Sequence, residues 1–199
     1  LVAYRFEQIL KRGAVEAPDR EISARAWYRN AARRTTANPD TLIRSEISRL
    51  QRKPELGKLY IFKYDPKYRE TLPYYDRFPL VIPFDTSRKS GNVIGDNFTG
   101  INLHYLPLRL RARLFDALYM TATNEEDNRF NINYQILKNA YKYRFFKPCI
   151  KNYLLRQVKS RFFVIEPDEW DIALFLPLDR FVKATRARVH RESIEKVSI

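Results

Sequence analysis

The sequence predicts an α+β protein: a small SH3-like antiparallel β-barrel flanked by N-terminal and C-terminal helices. Three observations lead there. Residues 57–105 hold short runs rich in β-branched and aromatic residues, punctuated by Pro and Gly, with no crossover helix between them. Helix-start signals lie on both sides, at Asn38-Pro39 and at Pro107. Apolar residues make up 45% of the 199 positions, enough for a real core and too many for a disordered chain.

Residues 1–56 read as an N-terminal helical arm. Asn38 is a good N-cap and Pro39 suits the first helical position, where a missing N–H costs nothing. Leu42, Ile43, Ile47 and Leu50 then form an apolar stripe, which predicts a helix over Asp40–Arg52. Pro54 and Gly57 end it. Lys58–Tyr64 alternates Leu59/Ile61/Lys63 with Tyr60/Phe62/Tyr64, so both faces of this strand are largely apolar and both are predicted to be covered. Phe78–Phe84 is a second strand, which Pro79 and Pro83 would confine to an edge or to strand ends. Asp85–Asp96 is a polar connection, and Phe98–Tyr105 is the third strand.

Residues 106–182 read as a helical basic region. Helices are predicted from Pro107 to about Met120, over Ile132–Tyr143, and from Pro148 to about Lys159. Arg161–Ile165 is a short strand, and Asp168–Phe175 and Leu178–Val182 are helical turns. From Lys183 the chain is polar and has no apolar periodicity. Residues 183–199 therefore read as an extended C-terminal tail that takes its order from a neighbouring subunit.

The net charge is +14, which makes nucleic acid, an acidic protein surface or anionic lipid the default partner. No apolar run approaches the ~18 residues of a membrane span. From Lys138 to Arg161 there are eight basic residues and no acidic one: Lys138, Lys142, Arg144, Lys147, Lys151, Arg156, Lys159 and Arg161. Tyr141, Tyr143, Phe145, Phe146 and Tyr153 interleave them. Basic helix faces of this kind neutralise phosphates without reading sequence, so these eight are the candidate nucleic-acid contacts. On the predicted helix, Asn152, Arg156 and Lys159 share one face.

Other candidates read as structural. Arg111 falls inside the apolar arc of Leu110, Leu114, Phe115 and Leu118, where a guanidinium needs a carboxylate or carbonyl partner; Asp65 and Asp76 are the candidates for an ion pair. His104 reads as a hydrogen-bonded core histidine. The single cysteine, Cys149, excludes an internal disulfide and reads as a buried small hydrophobe. With His190 the only other histidine, no His-based metal site is credible, and no cofactor is implied. Pro167-Asp168-Glu169 resembles the opening of a nuclease carboxylate motif, but no strand carrying Glu-x-Lys follows. No P-loop, nucleophile elbow or C-x-x-C occurs.

The block from Gly57-Lys-Leu-Tyr60 through Tyr64-Asp-Pro-Lys67, Leu72-Pro-Tyr-Tyr-Asp76, Phe78-Pro-Leu-Val81 and Asn102-Leu-His-Tyr-Leu-Pro107 resembles a family of virion structural proteins of T4-like and related large tailed bacteriophages. Phe146-Lys-Pro-Cys149, Glu169-Trp170 and Phe175-Leu-Pro177 fit the same pattern, and the resemblance spans about residues 45–185. It implies a DNA end protector, head completion protein or baseplate component, and it brings no catalytic residues. The expected function is thus a non-enzymatic virion component, assembled in the host cytoplasm as part of a symmetric multi-subunit particle. Its basic helices would contact DNA or acidic neighbouring virion subunits, at the head–tail neck or DNA end. A baseplate or tail subunit acting by protein docking is the alternative within that class, and a DNA-processing nuclease is the alternative outside it.

Overall fold

The computed structural model describes residues 38–86, 95–108, 110, 111 and 147–198. It is an α+β fold. Strands β1 (Leu50–Gln51), β2 (Leu59–Ile61), β4 (Leu80–Thr86), β5 (Asn97–Asn102), β6 (Ile150–Leu154) and β7 (Phe162–Ile165) form one antiparallel sheet in the order β1-β7-β2-β4-β5-β6. β3 (Tyr75–Asp76) and β8 (Phe181–Val182) form a small second sheet. The helices among the described residues are α1 (Pro39–Ser45), α2 (Trp170–Phe175) and α3 (Arg186–Ser198). The large sheet thus takes strands from 1–56, through β1, as well as from 57–105 and 106–182.

Alternation along the strands builds two cores. Leu59, Ile61, Leu80, Ile82, Ile101, Phe163 and Ile165 join Leu42 and Ile43 of α1, Trp170, Ile172 and Leu174 of α2 and Val189 of α3 in the larger one. The opposite face carries Tyr60, Phe62, Tyr64, Val81, Phe98, Tyr153, Phe162 and Val164, all buried. The alternation expected at Lys58–Tyr64 is thus the one that forms. On a flat sheet, β7 and β5 would lie three strand spacings apart, ~14 Å. The Phe162 and Phe98 rings are 6.0 Å apart, and Phe62 and Tyr153 are 5.4 Å apart. The sheet therefore curls around its aromatic face. The connection from β6 to β7 lies along the extension of β2 at the Tyr64–Val158 bridge, where Lys159 N–H donates to the Lys63 carbonyl at 2.8 Å. No closed barrel forms among the described residues: β1 and β6 remain the sheet edges.

Several sequence expectations are corrected. The helix at Asp40–Arg52 stops at Ser45, and Ile47–Arg49 makes only a 3-10 turn. Leu50 and Gln51 are taken by pairing with Phe163 and Phe162, and Ile47 is left 76% exposed. β4 is central rather than an edge, despite Pro83. β2 pairs only with Leu80 and Val81, so Pro83 faces no ladder partner there, and its carbonyl accepts from the Gly57 N–H at 2.8 Å. On the other side the register shifts between Pro83 and Asp85, opposite Gly100. Leu178–Val182 supplies β8 instead of a helical turn.

Pro148–Lys159 is β6 plus a 3-10 turn at Leu155–Gln157, not a helix. β5 offers it five register pairs, from Asn97–Leu154 to Ile101–Ile150, which outweigh its local preference. Cys149 beside it is buried, and burial pushes its thiol pKa up to about 12. The tail from Lys183 is not an extended arm either. It forms α3, with Thr185 Oγ1 accepting from the Arg188 N–H as a cap and Val189 and Ser193 buried one turn apart. The expected helical segments 1–37 and 132–143, and most of the one opening at Pro107, lie outside the described residues.

The 3-10 turn Leu103–Tyr105 ties these parts together. His104 is fully buried, and its Nδ1 meets Asp76 Oδ2 at 2.6 Å. Its carbonyl accepts from Arg111 Nη2 at 3.1 Å and from His190 Nε2, on α3, at 3.0 Å. Arg111 is fully buried and also donates to the carbonyls of Leu106 and, on α2, Leu174. Its described hydrogen-bond partners are carbonyls, the expected alternative to a carboxylate, and not Asp65 or Asp76. Asp65 sits at the surface with Arg69, and Asp76 accepts from Asn102 Nδ2 and from the N–H groups of Phe78 and Arg180. Burial lowers the Arg111 pKa to about 10, against the pull of Asp179, so it stays charged at neutral pH.

Three measurable consequences follow from this packing. A Cβ at Gly100 would lie 2.3 Å from Val81 Cγ1 and 2.9 Å from the Ile82 carbonyl, so Gly100→Ala should destabilise the protein by roughly 1–3 kcal/mol in denaturant titration. Arg111→Ala removes the guanidinium donor from the buried carbonyls of Leu106 and Leu174 and leaves that of His104 to His190 alone, which should cost about 3 kcal/mol or more; Arg111→Lys, a point donor in place of a fork, should recover only part of it. Burial, and then the Arg111 charge, hold His190 below its ordinary pKa of 6.5, with Arg186 and Asp179 also facing it. A base with a depressed folded-state pKa stabilises in its neutral form, fully above about pH 6.5, and that stability is lost as pH falls through the lower folded value. The denaturation midpoint should fall between pH 7.5 and 5, and His190→Gln should flatten that fall.

Candidate nucleic-acid interface

Beside the edge strand β6, the turn after Pro66 and strand β3 enclose a cleft of about 410 Å³. Six tyrosines line it: Tyr64, Tyr68, Tyr74, Tyr75, Tyr105 and Tyr153, together with Lys67, Lys151 and Asp76. The floor is rigid. Tyr153 stacks on Phe98 with centroids 5.3 Å apart, and its hydroxyl accepts from Asn102 Nδ2 at 3.0 Å. Tyr64 Oη accepts from the Leu154 N–H, and Tyr105 stands edge-on to Phe181. Asp76 anchors the floor from behind through His104 and Asn102.

The outer wall is the turn carrying Tyr68, a residue 61% exposed. Arg69 N–H donates to the Pro66 carbonyl and Leu72 N–H to the Tyr68 carbonyl. Lys183 pins the turn from the end of β8, its Nζ donating to the carbonyls of Arg69 and Glu70 at 2.7 and 2.9 Å. Lys183 itself has φ 67, a left-handed conformation that costs a non-glycine residue free energy.

Two ammonium groups lie over rings of this cleft. Lys151 Nζ is 4.2 Å from the Tyr105 centroid, and Lys67 Nζ is 4.8 Å from that of Tyr68. Burial, joined by repulsion from Lys196, lowers the Lys151 pKa to about 8 against the opposing pull of Cys149. Hydrogen bonding to Lys67, then its charge, pulls the Tyr68 phenol below its usual value. Burial raises those of Tyr105 and Tyr153, so they stay neutral.

Of the eight candidate basic residues, Lys151 lines the cleft and Arg156 lies close enough to act on Tyr68. Lys147, Arg156, Lys159 and Arg161 are exposed and make no salt bridge among the described residues. They stand on a strand end and turns, so Asn152, Arg156 and Lys159 do not share a helix face. Lys138, Lys142 and Arg144 lie outside the described residues. Lys67, Tyr68 and Lys183 were not among the sequence candidates; the aromatic Leu72-Pro-Tyr-Tyr75 loop was the available signal. Glu169 is buried, pairs with Arg49 and closes a capping box with Glu166. Among the described residues, no group of three His, Cys, Asp or Glu side chains could hold a metal.

Among known proteins, a family model described as phage T4 terminal DNA protecting protein matches residues 19–197. No curated protein and no solved structure matches the chain. A match over so much of the sequence settles the family: this chain belongs to the phage T4 terminal DNA protecting proteins.

Proposed function

We propose that this protein is a non-enzymatic virion component that binds the end of packaged DNA without reading its sequence, at the head–tail neck of the particle. The observation that carries the reading is the acid-free run ending at Arg161. Its described charges Lys147, Arg156, Lys159 and Arg161 are exposed and unspent on internal salt bridges, in a family described as protecting terminal DNA. Free surface cations neutralise phosphates by releasing counterions, and that attraction is indifferent to sequence. Lys138, Lys142 and Arg144 continue the same run and are proposed to add to it, as Lys151 does from the cleft. Neighbouring virion subunits would hold the protein in place.

Filter binding on linear DNA of two unrelated sequences should give equal affinities, with a steep negative slope of log affinity against log salt. Exchanging Lys147, Arg156, Lys159 and Arg161 for Glu should cut retention and reduce that slope by about one for each phosphate no longer neutralised. A slope near zero would overturn DNA binding in favour of docking to an acidic protein at a baseplate or tail. Magnesium-dependent loss of full-length DNA would instead establish a nuclease.

A further inference from the structure

Charge accounts for attraction to DNA but not for six tyrosines around one cleft. A surface meant only to hold phosphates needs cations on a convex or grooved face. Here the aromatic groups are concentrated and concave, and the cations lie over the rings: Lys151 above Tyr105 and Lys67 above Tyr68. From these positions an ammonium can reach a phosphate while a flat apolar ligand occupies the space between Tyr68 and the floor. The volume, about 410 Å³, falls in the range of small-ligand sites. A base still paired and stacked in a duplex has both faces covered by its neighbours and presents none to these rings.

We propose that the cleft is a nucleobase site that takes one or two unpaired nucleotides at a DNA end, the bases lying against Tyr68 and Tyr75 and the phosphates against Lys67 and Lys151. The proposal rests on the DNA-binding reading above and adds the class of end: single-stranded overhangs or frayed termini rather than blunt duplex. Two further observations favour it. The carboxylate of Asp76, the acidic group lining the cleft, is already engaged by His104, Asn102 and two backbone N–H groups, so it offers little to a ligand that would repay a base-specific contact. Stacking on aromatic rings is tolerant of sequence, because every base has a π-face. The wall bearing Tyr68 is fixed in advance by Lys183, which limits the ordering cost of binding.

The test uses the full chain and hairpin-capped duplexes with one open end: blunt, with a three-nucleotide overhang, or with an abasic overhang of the same length. Fluorescence anisotropy should show the base-bearing overhang bound about tenfold or more tighter than the other two. Tyr68→Ala should remove roughly fivefold or more of that preference, the effect of removing one base–aromatic stack, while Tyr68→Phe keeps it. Tyr68 is exposed, so neither change threatens the fold. Affinity for blunt duplex and its salt slope should be the same in all three proteins. Equal binding of all three DNAs with a normal salt slope overturns the cleft proposal and leaves the DNA-binding reading standing. An overhang preference that survives Tyr68→Ala, or that the abasic strand shares, also overturns it. Failure to bind any DNA overturns both.

Discussion

The cleft depends on a short turn buried behind it. In Leu103–Tyr105, the His104 side chain faces the small sheet through Asp76 while its carbonyl faces the helices through Arg111 and His190. One residue thus joins β3, α3 and, through the guanidinium on Leu174, α2. The shorter of these elements could not stand alone: β3 and its partner β8 have two residues each, and α2 has six. Their positions come from buried polar contacts that are strong because water is absent, and costly to break for the same reason. Tyr105, the next residue, is the ring beneath Lys151. The network that holds the small elements therefore also sets the cleft floor.

The curl of the large sheet supplies the other half of the site. Large aromatic residues fill its concave face, so strands three places apart touch through their rings instead of closing into a barrel. Tyr64 and Tyr153 are the last members of that aromatic face, where it reaches the edge strand β6. They are continuous with the core on one side and with the cleft on the other. A tyrosine suits such a position because its ring packs like phenylalanine and its hydroxyl can meet a polar group at the margin.

How much of this the sequence revealed varied by residue type. Strand alternation at Leu59–Tyr64 was legible because both sets of side chains are unambiguous in character. β6 carried no such signal. Ile150-Lys-Asn-Tyr-Leu154 fits a helix or a strand, and only pairing with β5 decides between them. Nor did α3, whose inner face is built from Val189, His190 and Ser193 rather than from a hydrophobic stripe. Polar side chains that bury through hydrogen bonds leave no periodic signal. Arg111 was recognisable as a cation in an apolar arc, but its partners are backbone carbonyls, which no sequence displays. The basic run was plain in the sequence; the cleft was not, because Tyr68, Tyr105 and Tyr153 meet only after the sheet curls.

The two kinds of group in the proposed interface differ in what they demand of the fold. Lys147, Arg156, Lys159 and Arg161 stand on turns and strand ends, and long-range attraction to a line of phosphates tolerates that imprecision. Rings that stack on a base must be placed to within a fraction of an ångström, and they are the groups backed by the core, by Asp76 and by the Lys183 pin. Lys151 belongs to both sets. It stems from β6 beside Tyr105, half-buried, and burial lowers its pKa to about 8, so it is mostly charged at neutral pH. A cation partly withdrawn from water loses less hydration on meeting a phosphate, and its place over the Tyr105 ring would tie that contact to a base held in the cleft.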